Sequence, residues 1–210
     1  MNFIEQDILN YCNLLSNDNK VLDDLERETQ YKILMPRMIS GKMMGNLLKI
    51  ISQLRHPKYI LEIGTYTGYS AICLAQGLQR DGQLHTIEIN EELKKISCKY
   101  FKKAKINQLI TQHTGNALKI IPQLSLLFDI IFIDADKKNY CKYYELAMQK
   151  VNKNGYILID NVLWSGKVLN NNNDDEAEEI KKMNNMIKND PRVENTLLPI
   201  RDGVMICKVL

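Results

Sequence analysis

Two carboxylates and an amide in this sequence have the chemistry of a cation site. Asp134 follows the apolar run FDIIFI, and Asp160 with Asn161 follows the run GYILI. If these runs are neighbouring parallel strands, the three side chains converge, and hard oxygen ligands of this kind suit Mg²⁺, Mn²⁺ or Ca²⁺. Without a cation, one of the two carboxylates would have to take up a proton. Alternatively, Asp160 and Asn161 cap a following turn.

Lys137 stands three residues after Asp134, about one helical turn away, so both side chains can face one cleft. A neighbouring cation favours the neutral amine, which can then act as a general base. A lysine in the first turn of a helix is otherwise simply solvated, and the sequence up to this point leaves that alternative open.

A glycine-containing turn and a later glutamate are the candidates for binding a nucleoside. Gly64 and Gly68 lie in the stretch EIGTYTGYS, and glycine lets a backbone adopt positive φ and approach a ligand closely. The turn has neither the G-x-G-x-x-G pattern of dinucleotide-binding enzymes nor the phosphate-loop pattern, so a plain tight turn remains possible. Glu88 ends the next apolar run, where it could accept both hydroxyls of a ribose or be a solvated carboxylate.

All these residues lie at the ends of strand-length apolar runs that alternate with helical segments. The runs occupy residues 59–64, 83–90, 109–115, 128–136 and 155–162. The alternation predicts a parallel sheet with helices on both faces, and nearly continuous apolar strands indicate that both faces are covered. In such a sheet, ligands bind beyond the carboxyl ends of the strands, which is where the polar residues cluster.

The two ends of the chain have other patterns. Residues 1–54 show helical periodicity, with helices predicted within 3–15 (including Phe3), 23–31 and 43–51 and a loop at 35–42. After the first apolar run, a further helix is predicted to extend to about residue 79. Near the C-terminus we predict a polar loop at 170–175, a helix at 176–189, and a hairpin of 196–201 with 204–209 joined at Asp202-Gly203.

We therefore predict an α/β fold: a seven-stranded Rossmann-like sheet of five parallel strands plus a C-terminal hairpin, with helices on both faces. The chain is predicted to be one structural domain, with a helical segment at 1–54 and the core at 55–210.

Composition excludes several classes of protein. The 210 residues carry 28 basic and 25 acidic side chains, and a net charge of +3 gives no electrostatic case for nucleic acid or a membrane as the main partner. The five cysteines are widely spaced and the three histidines are scattered, which argues against a zinc site or a disulfide framework and favours a reducing compartment. With neither a secretory signal nor an apolar run of about 20 residues, we expect a soluble, cytoplasmic protein.

Six motifs in register resemble the cation-dependent O-methyltransferases, the group of caffeoyl-CoA and catechol O-methyltransferases. They are ILEIGTYTGYSAICLA, TIEIN, TGNAL, FDIIFIDADKKNY, GYILIDNVLWSGKV and LPIRDGVMICKV, and the similarity covers roughly residues 30–210. The resemblance implies the class I methyltransferase fold, S-adenosylmethionine as methyl donor, a bound divalent cation and, since such proteins usually pair, a homodimer.

The resemblance also implies roles for individual residues. In the donor site, the methionine part is assigned to Glu62, Gly64, Tyr66 and Ser70, the ribose to Glu88 and the adenine to Ala117. Asp134 and Asp136 are further donor-site positions, and Asp136 matches the caffeoyl-CoA branch of the family. The metal ligands are Asp134, Asp160 and Asn161, the catalytic lysine is Lys137, and the substrate side has Met38 and Trp164. Trp164 could equally be a core residue, and residues 1–30 match no motif, although such segments shape the acceptor pocket in the family.

The expected reaction is methylation of one hydroxyl of a vicinal diphenol, with Lys137 as the base. Three alternatives are weighed against it. A nucleotide-binding Rossmann enzyme would need the missing glycine pattern, and a methyltransferase acting on RNA or another nucleic acid would need a basic face and its own signature. A donor-binding module without catalysis is disfavoured by the complete set of Asp134, Lys137, Asp160 and Asn161.

Overall fold

Seven strands form a sheet at the centre of the computed structural model, which describes residues 4–170 and 174–210. The strands are β1 (Tyr59–Ile63), β2 (Gln83–Glu88), β3 (Ile110–Thr114), β4 (Phe128–Ile133), β5 (Val151–Asp160), β6 (Val193–Leu198) and β7 (Val204–Val209). Their order is β3-β2-β1-β4-β5-β7-β6, with β1 to β5 parallel and β7 antiparallel to both of its neighbours. The predicted sheet of five parallel strands plus a hairpin is confirmed.

The helices cover both faces of this sheet. They are α1 (Gln6–Leu15), α2 (Lys20–Lys32), α3 (Gly41–Arg55), α4 (Tyr69–Ala75), α5 (Lys94–Lys103), α6 (Ala117–Ile120), α7 (Tyr140–Lys150) and α8 (Asp175–Lys188). Strand β4 shows why both faces need cover: Ile131 and Ile133 pack in the cluster with α7 and α8, whereas Ile130 and Phe132 pack in the cluster with α3 and α4. Successive side chains of a strand point to opposite faces, so the continuous apolar run serves two cores.

The hairpin differs from its prediction in the position of the turn. Strand β6 ends at Leu198, which pairs with Val204, so residues 199–203 form the connection and a two-residue turn at Asp202-Gly203 is wrong. The backbone around this turn is bound elsewhere: the Asp202 and Gly203 carbonyls accept hydrogen bonds from the N–H groups of Leu163 and Val162. The connection is therefore anchored to the segment that follows β5.

The ends of several helices also differ from the bounds that the apolar periodicity predicts. Helix α4 ends at Ala75 rather than near residue 79, and the chain that follows passes close to α3, where a Cβ on Gly77 would be 2.2 Å from the Ser52 backbone. The loop predicted at 35–42 contains a 3₁₀ turn at Pro36–Met38, and α3 begins inside it, at Gly41. Phe3 of the first predicted helix and positions 171–173 of the predicted polar loop lie outside the described residues.

Helix α1 differs from the others because it contributes no buried residue. Its apolar side chains Tyr11, Leu14 and Leu15 are exposed. Among the described residues, no helix combines the length and the hydropathy that crossing a membrane requires.

Candidate active site

The turn after β1 and the loop after β4 touch each other at the carboxyl edge of the sheet. The Asp134 N–H donates to the Ile63 carbonyl (2.9 Å), and the Gly64 N–H donates to the Ile87 carbonyl (2.9 Å). Gly64 has φ +102°, and a Cβ at this position would lie 2.0 Å from the Asp134 carbonyl oxygen. Glycine is therefore required at position 64 by both conformation and space.

Glu88 is held against the same turn. Its Oε2 accepts the Tyr66 N–H (2.7 Å) and its Oε1 accepts the Asn90 N–H (2.9 Å). The half-buried carboxylate is thus fixed in orientation by two backbone donors and keeps further lone pairs free for a ligand. The structure brings Tyr66 and Glu88 together, as the predicted donor site requires.

Glu62 lies beneath the turn and is fully buried. Its Oε1 accepts the Ser70 hydroxyl (2.6 Å), and its Oε2 accepts the hydroxyl of Thr86, which pairs with Glu62 across β1 and β2 (2.5 Å). Burial raises the pKa of Glu62 to about 8, while the two hydroxyls act in the opposite direction and the charge of Asp134 adds a smaller increase. Both carboxylate oxygens are used within the protein, so Glu62 joins the start of α4 to β2 behind the Gly64 turn.

The other two predicted donor residues extend this edge in both directions. Ala117 begins α6, and the preceding Gly115 donates its N–H to the Glu88 carbonyl (2.8 Å). Asp136 is exposed, and its carboxylate accepts the Tyr143 hydroxyl and the Asn139 amide, both at 2.5 Å. The candidates therefore follow the carboxyl ends of β4, β1, β2 and β3 in the order of the strands.

A lysine and a second acid lie on the other side of Asp134. The Lys137 Nζ donates to Asp134 Oδ1 (3.1 Å) and to the Ala135 carbonyl (2.9 Å), and the lysine is buried. Asp160 is also buried, and its Oδ1 accepts the Asn161 N–H (2.8 Å). Burial and, second, the charge of Asp134 raise the pKa of Asp160, while Arg201 at 3.9 Å acts in the opposite direction.

Aromatic rings surround the lysine. The Lys137 Nζ lies 4.9 Å from the centroid of the Tyr140 ring and 5.9 Å from that of Trp164. The Trp164 indole nitrogen is buried and has no hydrogen-bond partner among the described residues. Met38, predicted to lie near the substrate, is exposed in the 3₁₀ turn before α3, and no described side-chain contact joins it to Lys137.

The described residues do not form a protein cage for a cation at this end of the sheet. Within the described ranges, no group of three or more His, Cys, Asp or Glu side chains could hold a metal ion. A cation here would depend on the carboxylates of Asp134 and Asp160, the Asn161 amide, and oxygens from water or substrate, which is the usual situation for Mg²⁺.

Three residues of the site were missed by sequence reasoning. Thr86 is a polar residue inside an apolar strand, a signal that was visible. Tyr140, whose hydroxyl donates to the Asp160 carbonyl (3.1 Å), looked like an ordinary apolar helix position. Arg201 looked like part of the hairpin, and its approach to Asp160 depends on a long-range fold contact.

A family model described as O-methyltransferase matches residues 13–210 of the chain. The chain belongs to the O-methyltransferase family. Among curated relatives of this O-methyltransferase, caffeoyl-CoA O-methyltransferase 1 of Eucalyptus globulus is 31% identical over 201 residues, covering 90% of this chain and 80% of that protein. The caffeoyl-CoA O-methyltransferase of Medicago sativa is 30% identical over 202 residues, with the same coverage.

Solved structures agree with this membership. The O-methyltransferase TomG of Streptomyces achromogenes, in complex with S-adenosylmethionine, has a TM-score of 0.90 and 27% identity, and the match covers 99% of each chain. The O-methyltransferase of Bacillus cereus, in complex with S-adenosylhomocysteine, has a TM-score of 0.87 and 32% identity, covering 93% of each chain. The predicted class, an S-adenosylmethionine-dependent O-methyltransferase, is confirmed.

Proposed function

We propose that this O-methyltransferase transfers the methyl group of S-adenosylmethionine to one hydroxyl of a small vicinal diphenol, in a reaction that depends on a divalent cation. One observation carries the proposal: Asp134 is in backbone contact with the Gly64 turn on one side and ion-paired with the buried Lys137 on the other. A donor turn and an acid–lysine cluster therefore share one wall. The curated relatives, named for a caffeoyl acceptor, support the acceptor class.

In this proposal the donor lies along the carboxyl edge from β4 to β3. Glu88, already oriented by backbone donors, accepts the two ribose hydroxyls. The methionine part lies against Gly64, Tyr66 and Ser70, with Glu62 behind the turn. The remaining donor contacts are assigned to Ala117 at the adenine and to Asp134 and Asp136 at the edge of β4.

Asp134, Asp160 and Asn161 would hold the cation. Two observations fit this role: Asp160 has a carboxylate whose burial raises its pKa, and a second carboxylate, Asp134, lies near enough to add to that increase. Two acids at close range are costly unless a cation or a proton lies between them. When bound, Mg²⁺, Mn²⁺ or Ca²⁺ would lower the pKa of an acceptor hydroxyl, which is near 10 in a free phenol.

Lys137 is proposed to take the proton from that hydroxyl at its Nζ. The acceptor oxygen then attacks the methyl carbon, the C–S bond breaks, and its electron pair stays on sulfur. The rings of Tyr140 and Trp164 lie close to the Nζ and shield it from water. Met38 and the helical segment 1–54 are assigned to the acceptor side. Positioning of this kind is worth roughly 7–11 kcal/mol when reacting atoms are held near attack geometry.

The test is a methyl-transfer assay over catechols, hydroxycinnamoyl-CoA esters and flavonoids, with and without EDTA. We expect at least one vicinal diphenol to be methylated, with activity lost in EDTA and restored by Mg²⁺. Asp160→Ala should abolish cation binding and methyl transfer but leave donor binding largely intact, whereas the exposed Asp81→Ala should behave like the wild type. Full activity of dialysed, EDTA-treated wild-type enzyme would refute the cation dependence.

A homodimer and a cytoplasmic location are also inferred. Helix α1 has no buried residue and exposes Tyr11, Leu14 and Leu15. This apolar face supports the homodimer, because a second copy of the chain could cover it. The five free cysteines support a reducing compartment. Light scattering after size exclusion tests the first inference, and fractionation of cells tests the second.

A further inference from the structure

The segment between α2 and α3, residues 33–40, is named the strap here. It makes one 3₁₀ turn, in which the Met38 N–H donates to the Met35 carbonyl (2.9 Å) and the Ile39 N–H donates to the Pro36 carbonyl (3.3 Å). Three apolar side chains of the strap are open to solvent: Leu34 is 89% exposed, Met35 51% and Met38 55%. So short a turn has few internal bonds, and its position must therefore be set by other parts of the fold.

One half of the strap is tied to the donor turn. The Tyr66 hydroxyl donates to the carbonyls of Leu34 (3.3 Å) and Met35 (3.2 Å). Tyr66 is also the residue whose N–H binds Glu88. The first half of the strap therefore lies beside the proposed donor site.

The other half is tied to Arg201. The guanidinium donates through Nη2 to the Ile39 carbonyl (3.0 Å) and through Nη1 to the Ser40 carbonyl. The same Nη1 lies 3.9 Å from Asp160 Oδ2. Arg201 comes from the β6–β7 connection, which is itself bonded to Val162 and Leu163 after β5. One side chain thus joins the end of the strap to the Asp160 end of the sheet.

We propose that Arg201 is a positioning residue for the acceptor. Its guanidinium fixes the strap against the Asp160 end of the sheet, so that the exposed apolar side chains of the strap form a wall against the aromatic ring of the acceptor. The inference rests on the proposed function for the identity of that acceptor. A guanidinium suits the task because its planar fork can reach two carbonyls and a carboxylate at once, whereas an ammonium is a single point charge.

A second reading of the same contacts is that Arg201 only balances the charge of Asp160. The two readings differ in what lysine would do at this position. Arg201→Lys keeps the positive charge and would preserve a charge-balancing role. It loses the fork, so it would release the strap.

The primary test is hydrogen–deuterium exchange of the peptide that covers the strap, because it needs no substrate. Losing a charge-assisted hydrogen bond should speed exchange at Met38 and Ile39 by about tenfold or more in both Arg201→Ala and Arg201→Lys. The matched control is Lys208→Ala on the same hairpin, whose partner is the exposed Glu194, and its strap should exchange like the wild type.

Steady-state kinetics with 3,4-dihydroxybenzoate as the acceptor probe separate positioning from general destabilisation. For both Arg201 variants we expect the acceptor KM to rise about tenfold. Arg201→Lys, which keeps the charge beside Asp160, should also leave kcat and donor affinity within about twofold of the wild type. Wild-type exchange in Arg201→Lys, or a wild-type KM, would overturn the proposal in favour of charge balance. If the wild type methylates no diphenol, the proposed function fails, while the exchange experiment still decides the role of Arg201.

Discussion

Replacing Glu62 by glutamine should change how the stability of the enzyme depends on pH. Burial raises the pKa of Glu62 from its ordinary value of 4.5 to about 8. Between these two values the folded protein holds a proton that the unfolded chain has released. The contribution of Glu62 to stability is therefore complete below pH 4.5, falls as the pH rises, and is lost once the pH passes about 8.

Glutamine is neutral at every pH and has nearly the same shape. One of the two hydroxyls, Ser70 or Thr86, can turn to accept from its amide N–H while the other still donates to its carbonyl oxygen, so the buried contacts survive. The free energy of unfolding of Glu62→Gln minus that of the wild type should therefore increase by about 1.4 kcal/mol for each pH unit that the pH rises within this window. From pH 5.5 to pH 7.5 the gain amounts to roughly 2.7 kcal/mol.

The assay is urea unfolding of both proteins at a series of pH values, without donor or cation. Taking the difference between the two proteins cancels every group that titrates equally in both. Glu91→Gln, which changes an exposed acid, is the control and should run parallel to the wild type. Parallel curves for Glu62→Gln as well would show that Glu62 does not hold a proton in the folded state, and the reasoning from burial would be refuted.

Three further predictions concern other groups. Glu88→Ala should weaken S-adenosylmethionine binding at least about tenfold by calorimetry, because charge-assisted bonds are lost; unchanged affinity would remove Glu88 from the donor site. Lys137→Arg keeps the charge but cannot take the proton, so kcat should fall about 100-fold or more with little change in donor affinity; near wild-type kcat would leave Lys137 only an electrostatic role. His85 Nδ1 lies 3.1 Å from His113 Nε2, and burial lowers the pKa of both, so stability should fall as the pH drops below about 6.5. His113→Gln should lose less stability over that range in urea unfolding, and an equal loss would show that the pair is not responsible.

Much of the fold follows from local pattern. Strand β4 was predictable because residues 130–133 are continuously apolar, which is typical of a strand that is buried on both faces. The β6–β7 connection was not, because its conformation is set by bonds to Val162 and Leu163, about 40 residues earlier in the chain. The close approach of Gly77 to Ser52 just after α4 was likewise not predictable, because no periodicity records it.

Some residues of the candidate site could likewise be predicted from the sequence, whereas others depend on strand register or on long-range packing. Asp134, Asp160 and Glu88 could be predicted because topology alone brings the carboxyl ends of parallel strands to one edge. Thr86 becomes meaningful only once β1 and β2 are paired, since register decides that it faces Glu62. Arg201 reaches a carbonyl 161 positions away in the chain, and a contact of that range follows from the packed structure rather than from spacing.

The absent side chain at Gly64 has a consequence for anyone who wishes to redesign this enzyme. A Cβ at this position would lie 2.0 Å from the Asp134 carbonyl oxygen, so the turn after β1 and the loop after β4 are in direct backbone contact and leave no space for a side chain between them. Under the proposed function, the donor site and the acceptor site are therefore not separate modules that can be exchanged one at a time. Libraries that aim at new acceptors are better directed at the strap, where the side chains of Leu34, Met35 and Met38 are exposed.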